Sequence, residues 1–214
     1  MHTSLFIAAA LTLAGFGAES IDYDAARQGQ LPPGWSAPAA HEWEVRPDKT
    51  APSHPNVLRG AAGAAGKSEP PLALFDKIVC RDGDLSVKFR IDGSRSGNAA
   101  GVVWRYQDPL NYYLLTLSAD DKNIVLQRVH NGAPEMIATS GGKRASIGVA
   151  EDIRPNQWHV VKVSFRGPKM QVFFGNRSIF TAQDAGIAGP GKTGLWAKGP
   201  NGAAFDDFRI DKKS

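Results

Sequence analysis

The sequence predicts an all-β protein, two antiparallel sheets packed face to face, and three observations carry that expectation. Glycine and proline, 23 and 14 of the 214 residues, together make about 17 per cent against roughly 12 per cent in average usage, which implies many turns. After Pro71 most segments alternate apolar and polar residues with the period of a half-buried strand. Those segments recur about every 10–15 residues with almost no helical period between them. The length suits a single sandwich domain, expected over residues 19–214. With 42 % hydrophobic and 21 % charged residues, the chain has enough apolar material to fold.

The first stretch, MHTSLFIAAALTLAGFGAES, is apolar from Leu5 to Gly17 and turns polar at Glu19. That is the length of a signal-peptide core and is shorter than the ~20 residues of a membrane span. Residues 1–18 are therefore expected to be a cleaved leader, and the mature protein to be periplasmic or secreted without a membrane span. Cys80 is the single cysteine, so an internal disulfide is excluded and the thiol is expected to be buried.

Next comes a short strand within 21–30, and then the turn-rich LPPGW of Leu31 to Trp35. Glu42-Trp43-Glu44 reads as a short surface strand with solvated charges. From Pro47 to Pro71 the Ala/Gly/Pro-rich sequence predicts long loops around a short strand at Val57–Leu58. Alternation then gives strands at 85–91, 100–106, 111–118 and 123–130. Asn131-Gly132 is a type I′ hairpin signal leading into 135–139. Further strands are expected at 158–166, 170–174, 178–182, 194–198 and 203–210. The alternation turns Leu85, Val87, Phe89, Val102, Trp104, Val160, Val172 and Phe208 toward a shared core. It turns Lys88, Arg90 and Arg105 toward the opposite face, with Arg90 and Arg105 expected in one sheet.

The net charge of +4 sums 25 cations and 21 anions with no block of like charges, so nucleic-acid binding is not expected. A literal Walker A pattern runs from Gly186 to Thr193, but Gly194-Leu195-Trp196 follows where a phosphate-binding helix would have to begin; nucleotide binding is not expected either. No G-x-S-x-G and no paired metal spacing of histidines occurs. Glu42-x-Glu44 is the one spacing resembling a strand-borne carboxylate pair of a retaining glycosidase. Asp22/Asp24 and Asp206/Asp207 lie near the two termini. Were the terminal strands neighbours, Asp24 and Asp206 would be the hard oxygen ligands of a structural Ca²⁺. The hairpin from Trp104 to Tyr113 gathers aromatic, cationic and amide groups of the kind that hold sugars. Trp104 reads as core. Arg105, Asn111 and Tyr112, together with Arg90 and Gln127, form the candidate ligand set.

Seven segments occur in order: APSHPNVLRG, PLALFD, DGDLSVKFR, AAGVVWRYQDPLNYYLL, NIVLQRVHNG, QWHVVKVSFRG and AGPGKTGLWAKGPNGAAFDDFRI. In these the chain resembles the concanavalin A-like (laminin G-like) lectin/glucanase jelly rolls, on the bacterial exported branch called 3-keto-disaccharide hydrolase-like. The resemblance implies a two-sheet jelly roll whose concave face binds saccharide-like ligands. It also places Thr116 and Lys198–Asn201, where relatives often carry Arg and a Lys-Ala-Asp-Ser turn, beside the ligand. The E-x-D-x-x-E strand of glycoside hydrolase family 16, which shares the fold, is not present. Three functions follow as expectations: a saccharide-binding sandwich without catalysis, a hydrolase or lyase of 3-keto-glycosides, or a structural module. The second needs a base such as His130, Asp108 or Glu135 beside the arginine face. The third needs a flat apolar face.

Overall fold

A computed structural model describes residues 18–37, 42–61, 71–93 and 97–213. The expected leader lies outside these residues except for Ala18. In chain order the strands are β1 (Ala18–Ile21), β2 (Trp35–Ser36), β3 (Glu42–Pro47), β4 (Asn56–Ala61), β5 (Leu72–Cys80), β6 (Asp82–Ile91) and β7 (Ala99–Asp108). There follow β8 (Asn111–Ser118), β9 (Asn123–His130), β10 (Ala133–Met136), β11 (Thr139–Ser140) and β12 (Val149–Ala150). The last five are β13 (His159–Arg166), β14 (Lys169–Phe174), β15 (Arg177–Gln183), β16 (Gly191–Lys198) and β17 (Ala203–Lys213). Among the described residues none is helical, and no helix is long and apolar enough to cross a membrane.

These strands form two antiparallel sheets. One has nine strands in the order β11-β15-β14-β13-β6-β17-β4-β3, with β1 also paired to β17. The other has eight, in the order β10-β9-β8-β7-β16-β5-β2, with β12 also on β9. The layer between them holds the expected inward residues Leu85, Val87, Phe89, Val102, Trp104, Val172 and Phe208, all buried. Trp104 stacks on Tyr113 with ring centroids 5.5 Å apart and lies 6.1 Å from Phe165. Cys80 is buried as expected, and burial pushes its thiol up to about 11. Asn131 and Gly132 both take positive φ, 51° and 80°, as a two-residue type I′ turn between β9 and β10 requires.

Three expectations are corrected. Val160 is 36 % exposed: β13 pairs Val161 with Val87 and Val163 with Leu85, so inward positions fall on the odd residues. β5 occupies residues 72–80, to which the sequence reading assigns no strand. Its Ala73 and Phe75 face the core while Leu72 and Leu74 join a cluster on the outer side, so no alternation marks it. Finally, Arg90 and Arg105 do not share a sheet. Arg90 lies on β6 and Arg105 on β7, in opposite layers. The strand that faces Arg90 across Ala204 of β17 carries Arg59 instead.

Candidate functional site

The outer face of the eight-stranded sheet is built from three rungs of residues in register, on the side opposite the core. One rung runs Leu72, Trp196, Gly101, Thr116, Val125. The next, toward the strand ends, runs Lys198, Ala99, Ser118, Asn123. The third runs Leu74, Gly194, Val103, Leu114, Gln127. Across the first two and the end of the third lies a cavity of about 550 Å³, within the size range of small-ligand sites. Thr116, Ser118, Gln127, Trp196 and Lys198 line it, and Asp120 and Asp121 close its end.

Gly101 makes room for the Trp196 indole that lines this cavity. A Cβ there would stand 2.6 Å from the Leu115 carbonyl oxygen and 3.2 Å from Cε3 of Trp196, so the indole lies across a bare stretch of backbone. The half-buried indole offers an apolar plane beside hydroxyl, amide, ammonium and carboxylate groups. Sugars present the matching pattern, with C–H faces that stack on aromatic rings and hydroxyls that both donate and accept. Asp120 accepts a hydrogen bond from Gly97 N at 2.7 Å, and Asp121 accepts one from the Ser118 hydroxyl at 2.8 Å. Both carboxylates are exposed.

The other half of the face is apolar. Leu72, Leu74, Val103, Tyr106, Tyr112, Leu114 and Val129 pack as a second buried cluster against Trp196.

Of the expected ligand set, Gln127 lines the cavity. Tyr112 is 4 % exposed, packed 5.6 Å from Tyr106, and burial pushes its hydroxyl up to about 12; it belongs to the apolar cluster. Asn111 holds its own turn, donating to both Asp108 oxygens at 3.0 Å and accepting from Asn131 N. Arg105 is 1 % exposed. A register irregularity follows Trp104 in β7, and Arg105 takes a φ of 49°, so this extra residue turns inward beside Trp104. Its guanidinium donates to the carbonyls of Arg81 (2.7 Å), Ile187 (3.0 Å) and Gly167 (2.6 Å) and to Asp82 (3.3 Å). Arg105 is therefore a buried tie between loops. Arg90, on the other sheet, pairs with Asp92 at 2.6 Å and Asp48 at 2.7 Å and lies over Trp158. Burial alone would raise the Asp48 carboxyl, but hydrogen bonds from Arg90 and Thr50 outweigh it and hold the group low.

Asp24 and Asp206 are both fastened to one loop. Asp24 Oδ1 accepts from Asn56 N at 3.0 Å. Asp206 is fully buried and accepts from Ser53 N, the Ser53 hydroxyl and Asp207 N. A carboxylate occupied by three protein donors does not fit a cation ligand. Among the described residues no group of three or more His, Cys, Asp or Glu is placed to hold a metal ion. The Walker-like segment enters β16 instead of a helix. Lys192 pairs with Asp76 at 2.6 Å, and a Cβ at Gly191 would meet the Arg105 carbonyl carbon at 2.3 Å. Close backbone approach accounts for that glycine.

Sequence reasoning missed Trp196, Ser118, Asn123, Asp120 and Asp121. The alternation in Gly194-Leu195-Trp196-Ala197-Lys198 could have placed Trp196 and Lys198 together on the outer face.

No family model and no curated protein matches the chain. Solved structures do. A carbohydrate-binding module, CBM66 from Bacillus subtilis, is 18 % identical with a TM-score of 0.63, over 84 % of this chain and 96 % of that one. The Crh5 transglycosylase is 10 % identical with a TM-score of 0.59, over 92 % and 85 %. A prokaryotic β-1,3-1,4-glucanase (lichenase) from a mouse hindgut metagenome is 11 % identical with a TM-score of 0.55, over 92 % and 100 %. At these identities the likeness is one of fold: the chain shares the two-sheet antiparallel jelly-roll fold of these proteins.

Proposed function

We propose that this protein is an exported saccharide-binding jelly roll that holds its ligand in the cavity over Gly101 and does not act on it. The observation that carries the reading is the cavity itself, an indole plane ringed by Thr116, Ser118, Gln127, Lys198 and two aspartates. The likeness of fold to a carbohydrate-binding module agrees with it. The apolar leader sequence and the lone, buried cysteine support export.

The competing activity on 3-keto-glycosides, which the sequence resemblance raises, needs a base at the ligand. Asp108 is tied to Leu110 N and Asn111, Glu135 pairs with Arg128 at 2.5 Å, and His130 is exposed at the end of β9. None of the three lines the cavity; the carboxylates that do, Asp120 and Asp121, are engaged by Gly97 N and the Ser118 hydroxyl.

The test is a glycan array followed by calorimetry on wild type, Trp196→Ala and Gln127→Ala, each matched for thermal stability. The reading requires saccharide binding that both substitutions weaken. Absence of binding across mono- and oligosaccharides, or binding indifferent to both, would move the assignment to a structural module. Release of product from a keto-sugar would move it to the enzyme.

A further inference from the structure

A hairpin over residues 143–150 stands beside the cavity. Ala150 N donates to the Lys143 carbonyl at 2.6 Å, and Ala145 N to that of Gly148 at 3.2 Å. Asn123, itself 6 % exposed, donates from Nδ2 to the Ile147 carbonyl at 2.9 Å and pins the tip. Gly148 has a φ of 72°, and a Cβ there would stand 2.3 Å from the Ile124 carbonyl oxygen; the hairpin therefore lies directly against β9.

On its other flank is a second cavity, of about 480 Å³. It opens at the outer edge of β9 between the stretches covered by β10 and β12, where Ile137 N donates to the Leu126 carbonyl at 3.0 Å. β10 covers residues 127–130 of that edge and β12 covers 123–124, which leaves Val125 and Leu126 between them. Met136, Ala138, Thr139 and Arg144 line this cavity alone. Val125, Ser146 and Ile147 line both cavities. At this shared border a ligand in one would meet a ligand in the other across the side chains of Ser146 and Ile147. Ile147 is 50 % exposed, an apolar ridge with hydroxyl and charged groups on either side. Each cavity is within the size range of a single ligand site.

We propose that the two cavities are consecutive subsites for one oligosaccharide chain, which crosses the hairpin over Ile147. The proposal rests on the reading of the first cavity as a saccharide site, and it names the ligand class as an oligomer rather than a single sugar. Ile147 serves as the saddle under a sugar ring, while Thr139, Ser146 and Arg144 supply the polar contacts beyond it.

The experiment is calorimetric titration with homologous series of gluco-, xylo-, manno- and fructo-oligosaccharides, from monosaccharide to hexasaccharide. In the series that binds, Kd should fall about tenfold at the length that first reaches the second cavity, the worth of covering an exposed isoleucine. Ile147→Ala, on the shared border, should remove that step. Ala138→Trp, at an exposed position, should do the same by filling the second cavity. Affinity independent of length, or a step that survives both substitutions, overturns the proposal. If Trp196→Ala weakens binding while Ile147→Ala and Ala138→Trp do nothing, only the two-subsite proposal fails. If no member of any series binds, or Trp196→Ala is without effect, the saccharide reading falls and takes this one with it.

Discussion

Asp206 accepts two hydrogen bonds from Ser53, one from its amide at 2.8 Å and one from its hydroxyl at 2.9 Å. The pair sits where one edge of β17 changes partner. β4 is paired with residues 203–205 and β1 with 208–211, and the Asp206 carboxylate fills the gap between them. Desolvation by burial, helped by the neighbouring Asp207 charge, raises that carboxyl to about 6 against the donors' pull.

This gives a pH dependence with a definite sign. The native Asp206 keeps its proton to about pH 6, whereas the unfolded chain loses it near pH 3.9. Between those values the native state binds more protons, so stability falls as pH rises, by about 2–3 kcal/mol in all. Asp48, Asp84 and Asp184 are held low, so their contribution is present above the unfolded pKa and is lost in acid. Urea midpoints should therefore peak near pH 4–5 and decline toward neutrality. Asp206→Asn should flatten the decline; a decline of unchanged slope would assign it to another group.

Arg105→Ala should destabilise the fold by about 3–5 kcal/mol, because three carbonyls and Asp82 lose the donor that ties them together. Arg105→Lys should recover only part of this, since one ammonium cannot span the fork. Ligand affinity, measured well below the melting temperature, should not change. Selective loss of binding at full stability would return Arg105 to the ligand site.

Trp104→Ala should cost about 3–5 kcal/mol, as large aromatic truncations in cores do. The ring is fully buried between Tyr113 and Phe165. A denaturant midpoint equal to that of wild type would contradict the β7 register.

Gly101→Ala should both destabilise the protein, by about 1–3 kcal/mol as overpacking does, and weaken saccharide binding. The added methyl meets a backbone oxygen at 2.6 Å and then the Trp196 ring. Binding by calorimetry and the indole N–H chemical shift of Trp196 report the displacement; an unmoved indole with wild-type affinity would refute it.

The legible part of the fold is the part in which one face of a strand is buried and the other wet. Leu85, Val87 and Phe89, and Val102 with Trp104, announce themselves through alternation, and the Asn131-Gly132 turn through its chemistry. β5 stays silent because it buries Leu72 and Leu74 on one side and Ala73 and Phe75 on the other, so no period survives. Arg105 is misplaced by one extra residue in the strand, which reverses the side on which every later residue falls. Val160 is misassigned because Val160 and Val161 offer two apolar phases, and only pairing with β6 selects between them. Gln127 could be placed at the site from its own strand. The resemblance placed Thr116 beside the ligand, but Trp196 could not be grouped with Gly101 and Thr116, because the rung that aligns them brings in β16 from far along the chain.

The final strand is also a central one. β17 carries β6 along one edge and β4, then β1, along the other, and β3 hangs on β4. Until residues 203–213 exist, β1, β3 and β4 have no partner joining them to the rest of their sheet. A chain emerging from the ribosome thus cannot close its larger sheet until β17 has been made, and sheets joined by such distant pairings are slow to form in any case.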